Sequence, residues 1–271
     1  MFVGWIRKHE FANDLEEFQK LQIIDMNLIL RTFESNSDLC YGVYDKNTLV
    51  CFLTAYEFEN MIFINNFYYI ENIDKSIKKR VLQLFINNLP SEEKTVLTLV
   101  QKIEKEFFEL FDFQEYAPFT QAFYKGGAHA FNFSNATAKS IANENYLPLV
   151  DSIDTRAFRE KRIAYITQNI FKKSSLVLST PTGYQHSYAI HNNMIKISPW
   201  IMEDAAYSDA EKLIRGVIYH RGLKRIIAFI PSTVKEITDL YRSYNFELRN
   251  DFHLMYINKK PNIDLEMIYA L

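Results

Sequence analysis

Alternating apolar and polar positions, separated by longer amphipathic stretches, predict a mixed α/β chain. Alternation in short runs is typical of half-buried strands, and apolar residues three or four positions apart are typical of helices. In the first half the pattern predicts strands over residues 39–47, 48–58, 61–70, 94–100 and 119–125. It predicts helices there over residues 15–34, 74–89 and 103–113.

The second half repeats this order of elements. The pattern predicts strands over residues 175–181, 183–191, 194–202, 224–231 and 252–258. It predicts helices over residues 154–171, 208–222 and 233–245. Each half therefore has an opening helix, a hairpin, a third strand, a helix, a strand, a helix and a last strand.

Two pairs of segments give the same spacing between the halves. The run NMIFINNFYY begins at Asn60 and the run NMIKISPWIM begins at Asn193, which lies 133 residues later. The runs FFELFDFQE and LYRSYNFEL are also offset by 133 residues. The facing positions are Phe108 with Tyr241, Phe111 with Tyr244, Asp112 with Asn245, and Phe113 with Phe246. Equal offsets at distant places predict one unit duplicated in tandem.

The segment 125–140 predicts the linker between the copies. It contains the pair Gly126-Gly127 and a run of small polar residues, both of which favour loops. We place the boundary near residue 130, with an N-terminal domain over 1–128 and a C-terminal domain over 138–271.

Composition narrows the class of protein. The chain of 271 residues is 48% hydrophobic and 24% charged, with a net charge of −2. This is a globular profile, and it disfavours sequence-independent nucleic-acid binding, which needs a basic surface. Cys40 and Cys51 lie in apolar segments, which predicts buried thiols rather than a disulfide framework. With no apolar run of about 18 residues and no leader, we expect a cytoplasmic protein without membrane contact.

The element order resembles that of the GNAT N-acetyltransferase superfamily. The segment 240–246, LYRSYNF, resembles the family's LY-x-x-x-GF, with Asn245 in place of glycine. The segment 154–162 resembles the D-x-x-x-F-G-x-D-R run of some tandem GNAT proteins, with Arg159 and Lys161 in place of glycine and acid. The resemblance implies two α/β (α+β) units, each a mostly antiparallel twisted sheet flanked by helices, and acetyl-CoA as co-substrate without a metal.

In this family the pyrophosphate of acetyl-CoA lies on an R/Q-x-x-G-x-G/A loop at the start of the helix that follows the fourth strand. Helix N-termini favour anions because their first N–H groups lack partners. The loop aligns with residues 73–78 and 205–210, neither of which contains glycine. The implied cofactor-binding residues are Lys75, Ser76, Lys78, Lys79, Ser208 and Ala210.

Charge separates the two loops. Lysines and Arg80 surround the first loop, whereas acidic residues dominate the second, so a pyrophosphate favours the first copy. The acidic residues are Glu203, Asp204, Asp209 and Glu211, against Lys212. The alternative is that both charged runs are solvated helix faces.

The resemblance implies Tyr241 as the acid that protonates the departing thiolate. Phe108 stands at that position in the first copy and has no proton to give. The alternative is that Tyr241 is a helix residue packed at an edge. Candidates for a general base are the strand-end acids Glu57 and Glu59, and His186 and His191 on the matching strand, although a lone strand histidine is more often structural.

We therefore expect an acyl-CoA-dependent N-acetyltransferase that acts on an unidentified small-molecule or protein amine. The alternative is a non-catalytic acyl-CoA-binding or regulatory protein with eroded sites. Aminoacyl transfer from tRNA, as in longer tandem-GNAT peptidyltransferases, is disfavoured by the short chain and the charge of −2. The sequence leaves the oligomeric state open, including a homodimer.

Overall fold

The computed structural model of the chain describes residues 1–127, 139–140 and 146–271, and within them thirteen strands and eight α-helices. The strands are β1 (Phe2–Trp5), β2 (Cys40–Asp45), β3 (Thr48–Glu57), β4 (Met61–Tyr69), β5 (Thr95–Gln101), β6 (Gln114–Tyr124), β7 (Lys139–Ser140), β8 (Leu176–Thr180), β9 (Gly183–His191), β10 (Met194–Met202), β11 (Arg225–Pro231), β12 (Glu247–Ile257) and β13 (Ile268–Ala270). The helices are α1 (Phe11–Leu21), α2 (Met26–Ser35), α3 (Lys75–Asn87), α4 (Lys105–Glu109), α5 (Leu147–Phe158), α6 (Ile163–Tyr165), α7 (Tyr207–Arg221) and α8 (Lys235–Ser243).

The first compact unit, unit 1, comprises Met1–Leu99, Glu106–Gln114 and Met255–Pro261. Its strands follow the order β1-β2-β3-β4-β5, and the end of β12 lies next to β5. Neighbours from β1 to β4 are antiparallel, whereas β4 and β5 are parallel.

The second compact unit, unit 2, comprises Val100–Lys105, Glu115–Leu254 and Asn262–Leu271. Its strands follow the order β12-β6-β11-β10-β9-β8-β7, and β13 pairs with β10. The β10–β11 pair is parallel, and β10 is antiparallel to both β9 and β13. The expected fold class, a mostly antiparallel mixed sheet flanked by helices in each of two units, is confirmed.

The last strand of each sequence copy lies at least partly in the other unit. Most of β6 belongs to unit 2, where it pairs with β11 from Ile226 opposite Tyr124 to Pro231 opposite Phe119. The end of β12 belongs to unit 1, where the Asn258 side chain donates to the Lys94 carbonyl at 3.0 Å. The domain boundary expected over residues 128–138 lies outside the described residues, and the domain limits stay a prediction.

The repeat is visible in the way equivalent strands begin. The N–H of Thr95 donates to the Asn60 carbonyl at 3.1 Å, just before β4 and β5 pair in unit 1. The N–H of Arg225 donates to the Asn193 carbonyl at 3.2 Å, just before β10 and β11 pair in unit 2. The shared Asn-Met-Ile sequence therefore occupies the same structural position in both units.

Equivalent helices also end in the same way. Asp112 and Asn245 both have φ of +63°, a left-handed conformation that glycine adopts at least cost and that Asp and Asn tolerate. In each case the next residue donates its N–H back into the helix: Phe113 to Phe108 at 3.4 Å and Phe246 to Tyr241 at 3.1 Å. This explains the place of Asn245 in a motif that usually has glycine there.

The two opening helices are each divided, contrary to the expected continuous helices. The segment 15–34 forms α1 and α2, because Asp25 caps α2 by accepting from the Leu28 N–H at 3.1 Å. In the segment 154–171, Arg159 ends α5 with φ of +53°, at the position where the resembling motif has glycine. Arg162 then donates two bonds to Asp154 at 2.9 and 3.0 Å, and both side chains are buried.

Candidate functional site

In unit 1, strands β4 and β5 pair at their starts and then separate. Their register runs from Met61 opposite Thr95 to Ile64 opposite Thr98, whereas β4 continues along β3 to Tyr69. Among the described residues, no other strand pairs with this outer part of β4 on the side of β5. The edge of β4 therefore offers main-chain donors and acceptors to an extended chain.

A β-bulge lies in β4 where it leaves β5. The register of β3 on β4 shifts between Thr54 and Ala55, which makes Asn65 the extra residue, and a bulge residue stays outside the ladder. The Asn65 side chain accepts from the Thr54 hydroxyl at 2.9 Å and donates to the Thr32 hydroxyl at 2.7 Å. The Asn66 amide also donates to the Thr54 hydroxyl at 2.9 Å. These side-chain bonds fix the direction of the bulge.

The N-terminus of α3 follows β4 and combines a cap with exposed lysines. The Asp74 carboxylate accepts from the Ser76 N–H at 2.8 Å, and this hydrogen bond lowers the pKa of Asp74. Three of the expected cofactor-binding residues, Lys75, Ser76 and Lys79, are exposed here, together with Arg80. The structure thus gathers three basic side chains at a helix start, with one carboxylate among them.

Lys78 is placed differently from its neighbours, because it is only 7% exposed. Its ammonium lies 4.1 Å from the ring centroid of Tyr69 and 5.0 Å from that of Phe107, a cation–π arrangement. The role of Lys78 as a phosphate ligand stays a prediction, and its position is among aromatic rings rather than on the exposed face of α3.

Phe108, at the position equivalent to Tyr241, is buried in unit 1. Its ring packs edge-on against Phe67, Phe107 and Phe113, with centroids 5.9, 5.5 and 5.3 Å away. Aromatic packing therefore occupies the place where the other unit has a phenol, and no hydroxyl is presented there.

In unit 2 the corresponding opening is filled by the end of the chain. Strands β10 and β11 pair only from Met194 to Lys196, and β13 then pairs with β10 at Trp200 and Ile201. On its other side the Leu271 N–H donates to the Phe229 carbonyl of β11 at 2.9 Å. All three residues of β13 are 0% exposed, so it closes the gap between β10 and β11.

The predicted acid Tyr241 faces this terminal strand. Its hydroxyl donates to the Tyr269 carbonyl at 3.0 Å, and its ring packs against Trp200 and Phe246 at 5.7 and 4.9 Å. Tyr241 is 0% exposed, and burial raises its pKa well above the ordinary value. The catalytic role stays a prediction, but in this arrangement the phenol proton is bound to the chain's own carbonyl.

Unit 2 also has an irregularity in β10, at Ser198 and Pro199 opposite His186. Pro199 has no N–H to donate. The two ring nitrogens of His186 lie 2.6 Å from the Ser198 carbonyl and 2.7 Å from the Ser175 hydroxyl. His186 is fully buried, and this lowers its pKa to about 3. It is therefore a neutral structural side chain near pH 7.

The start of α7 places Ser208 on the surface and Ala210 in the core. The Ala210 N–H already donates to the Ala206 carbonyl at 2.9 Å, and its side chain is 0% exposed. Asp209 accepts from Lys212 at 2.6 Å and from the Thr182 hydroxyl at 2.7 Å, and the bond from Lys212 is the main reason that its pKa is lowered.

Carboxylates surround this end of unit 2. Burial raises the pKa of Tyr207, and Glu236, Glu266 and Asp204 raise it further by their negative charge. Burial and the same kind of charge also raise the pKa of Tyr269 in β13. An anionic group approaching the start of α7 would meet this negative field.

The remaining candidates for a general base are Glu57, Glu59 and His191, and their surroundings differ. Glu57 forms an ion pair with Lys94 at 2.8 Å, which ties it to the end of β3. Glu59 lies in the exposed turn after β3, and His191 is exposed at the end of β9. None of these three has a contact that identifies it as a catalytic base.

At the two openings, sequence reasoning missed β13 and the bulge at Asn65. The apolar run from Ile268 to Leu271 was a signal for a buried C-terminal strand, but three residues are too few to show a period. A bulge leaves no periodic signal, although two adjacent asparagines inside an apolar strand were a hint.

Within the described ranges, His, Cys, Asp and Glu side chains nowhere gather in a group of three or more that could hold a metal ion. None of the helices described in the chain combines the length and the apolar content needed to cross a lipid bilayer. Cys40 and Cys51 are buried free thiols, and burial raises the pKa of each to about 12.

Comparison with known structures identifies the fold, whereas no protein-family model and no curated protein sequence matches the chain. A provisionally assigned acetyltransferase from Pyrococcus horikoshii is 15% identical, with a TM-score of 0.72 over 100% of this chain and 93% of that one. A GCN5-related N-acetyltransferase from Sphaerobacter thermophilus is 12% identical, with a TM-score of 0.62 over 98% of both chains. A tandem GNAT protein from the clavulanic acid biosynthesis pathway is 10% identical, with a TM-score of 0.66 over 94% of this chain and 98% of that one. The chain has the tandem GNAT fold.

Proposed function

We propose that the chain is an acetyl-CoA-dependent N-acetyltransferase in which unit 1 alone holds acetyl-CoA. The observation that carries this proposal is the contrast between the two openings in the sheets. On the side of β5, the outer part of β4 in unit 1 pairs with no other described strand, whereas β13 pairs with the edge of β10 in unit 2. The likeness to acetyltransferases of known structure supports the reaction class.

Charge supports the same choice of unit. Lys75, Lys79 and Arg80 are exposed at the start of α3, where the helix N-terminus itself favours an anion. A pyrophosphate would be attracted there. In unit 2 the corresponding helix start is surrounded by Asp204, Glu236 and Glu266, which would repel it.

The proposed chemistry is direct transfer. The amine nitrogen attacks the thioester carbonyl, the C–N bond forms, the C–S bond breaks, and the amine gives up a proton to solvent. In this reaction the oxyanion would accept from main-chain N–H groups along the outer part of β4. Phe108 supplies no proton to the leaving group, but an ordinary thiol has a pKa of about 8.5, so CoA leaves as thiolate in mildly alkaline solution.

The test is release of CoA thiol from acetyl-CoA across a panel of small amines and peptide amines, together with the melting temperature in acetyl-CoA. We expect stabilisation by acetyl-CoA and turnover with at least one amine class. No stabilisation and no turnover with any amine would contradict the proposal. The acceptor and the cytoplasmic location are expectations that this assay does not require.

Reversing the charge of exposed lysines tests which unit binds acetyl-CoA. Lys75→Glu/Lys79→Glu should raise the Kd for acetyl-CoA roughly tenfold, since two attractive charges become repulsive. The matched control is Lys173→Glu/Lys235→Glu, which changes the net charge equally at exposed lysines of unit 2. Loss of binding in the control, with binding retained in the first variant, would place acetyl-CoA in unit 2.

A second candidate function is acyl-CoA binding without catalysis. It is favoured by Phe108, which has no hydroxyl, and by Tyr241, whose hydroxyl is bonded to Tyr269. Stabilisation by acetyl-CoA that depends on Lys75 and Lys79, with no thiol release for any amine, would establish this function instead.

A further inference from the structure

We propose that the C-terminal strand Ile268–Ala270 occupies the gap between β10 and β11 of unit 2 as an internal substitute for ligand, and that its removal opens a second ligand cleft lined by Tyr241. This inference rests on the proposed function of the equivalent cleft in unit 1. Two parallel strands that diverge leave main-chain groups exposed along their facing edges, and an extended chain can satisfy these groups.

The hydrogen bonds show that β13 fills that position on both sides. On the β10 side, Trp200 faces Ala270 and Ile201 faces Ile268 in an antiparallel register. On the β11 side, the Leu271 N–H donates to the Phe229 carbonyl at 2.9 Å. The tail is therefore an extended segment in the gap. Its main chain bonds to both β10 and β11, as the amide groups of a ligand could.

The side chains around the tail pack closely, but two of their buried polar groups lack hydrogen bonds. The rings of Trp200 and Tyr269 pack with centroids 5.2 Å apart, and both residues are 0% exposed. Among the described residues, neither the Trp200 indole N–H nor the Tyr269 hydroxyl has a hydrogen-bond partner. Unsatisfied buried donors lower the stability of the seated tail, so a single substitution in β13 is enough to release it.

The surroundings of the tail indicate which ligand could bind once the tail has left. It must be extended and must carry amide groups that reach the edges of β10 and β11. It must also lack strong negative charge, because the carboxylates Asp204 and Glu236 act on both Tyr207 and Tyr269, the central residue of β13. Pantetheine, the uncharged diamide portion of CoA, has these properties and is the probe we choose.

Tryptophan fluorescence gives a direct readout in the full-length chain. The sequence has two tryptophans, Trp5 and Trp200, and Trp5 is 60% exposed, so Trp5→Phe leaves Trp200 as the sole reporter. In this background Ile268→Asp places a charge at a fully buried tail position and should expel the tail. Ile268→Val is the matched control that keeps the position apolar.

We expect a several-fold rise in acrylamide quenching of Trp200 in Ile268→Asp, and a return toward the parent value on adding pantetheine. The parent and Ile268→Val should show low quenching that pantetheine leaves unchanged. A folded Ile268→Asp chain whose Trp200 is insensitive to pantetheine would overturn the proposal. So would a parent chain that responds to pantetheine as strongly as the variant.

A cysteine pair decides the matter if Ile268→Asp does not fold. Ile201→Cys/Ile268→Cys joins two facing residues, so oxidation holds the tail in place and reduction frees it in a weakened form. Only the reduced chain should respond to pantetheine, and identical responses in the two forms would contradict the proposal. Acetyl-CoA stabilisation of the parent reports on unit 1 separately, so failure of the proposed function and failure of the tail proposal are distinguishable.

Discussion

His186 and Tyr241 were candidates by residue type, and burial decides what each can do in unit 2. The imidazole of His186 lies between the Ser198 carbonyl and the Ser175 hydroxyl, and the phenol of Tyr241 is bonded to the Tyr269 carbonyl. The sequence could place both residues on the correct elements. It could not supply their surroundings, because these partners come from segments that the folded sheet brings alongside or from the unpredicted tail.

The low pKa of His186, about 3, makes stability depend on pH. A histidine is protonated near pH 6.5 in the unfolded chain, so between those values the unfolded state binds more protons. The stabilisation is therefore full above pH 6.5 and is lost as pH falls. We expect His186 to account for a loss of about 2 kcal/mol in unfolding free energy between pH 7 and pH 5.

Urea unfolding at the two pH values tests this expectation in His186→Gln, which cannot take up the proton. The variant should show a pH dependence smaller by that amount. His191→Gln, on the same strand but exposed, should keep the dependence of the parent chain. Equal pH dependence in parent and His186→Gln would contradict the assignment.

Tyr241→Phe separates a catalytic from a structural phenol. Loss of the hydrogen bond to Tyr269 should lower unfolding free energy by about 1 kcal/mol. Because we place the reaction in unit 1, turnover of acetyl-CoA should stay within about twofold of the parent, whereas loss of a general acid costs ~10²-fold or more. A drop of the latter size with unchanged KM would restore Tyr241 as the acid.

Helices and strands were predictable to different degrees, depending on whether the element is long enough to show a regular apolar spacing and whether a cap interrupts it. The amphipathic helix over residues 74–89 was predicted from its spacing, and α3 occupies Lys75–Asn87 with Val81, Leu82 and Phe85 buried. The break in the helix over residues 15–34 was missed, because the cap at Asp25 interrupts a continuous apolar period. The strand β13 was missed because it is three residues long and is stabilised by β10 rather than by its own pattern.

The cap of α3 gives a prediction about affinity. Asp74 holds the helix start through the Ser76 N–H but also brings a negative charge to the proposed phosphate site. Asp74→Asn keeps an oxygen acceptor for the cap and removes the charge, so the Kd for acetyl-CoA should fall about two- to fivefold. Calorimetric titration measures this change.

The control for that change is Asp45→Asn, at the exposed last residue of β2. It alters net charge equally and should leave the Kd as it is. A Kd that is unchanged in Asp74→Asn, as in the control, would show that acetyl-CoA does not approach the start of α3.

For the molecule as a whole, the order of elements was predictable and the pairing of the last strands was not. The offset of 133 residues correctly aligned the starts of β4 and β10 at Met61 and Met194. The exchange that puts most of β6 in unit 2 and the end of β12 in unit 1 has no local signal, since long-range pairing decides it. The inequality of the units followed partly from sequence, through charge at α3 and α7, and partly from the tail.

Calorimetric titration of the full-length chain with acetyl-CoA tests this inequality most directly. We predict one acetyl-CoA bound per chain, with binding strongly weakened by Lys75→Glu/Lys79→Glu, because β13 closes the cleft of unit 2. Two acetyl-CoA molecules per chain, or one that is insensitive to those substitutions, would contradict the assignment of acetyl-CoA to unit 1.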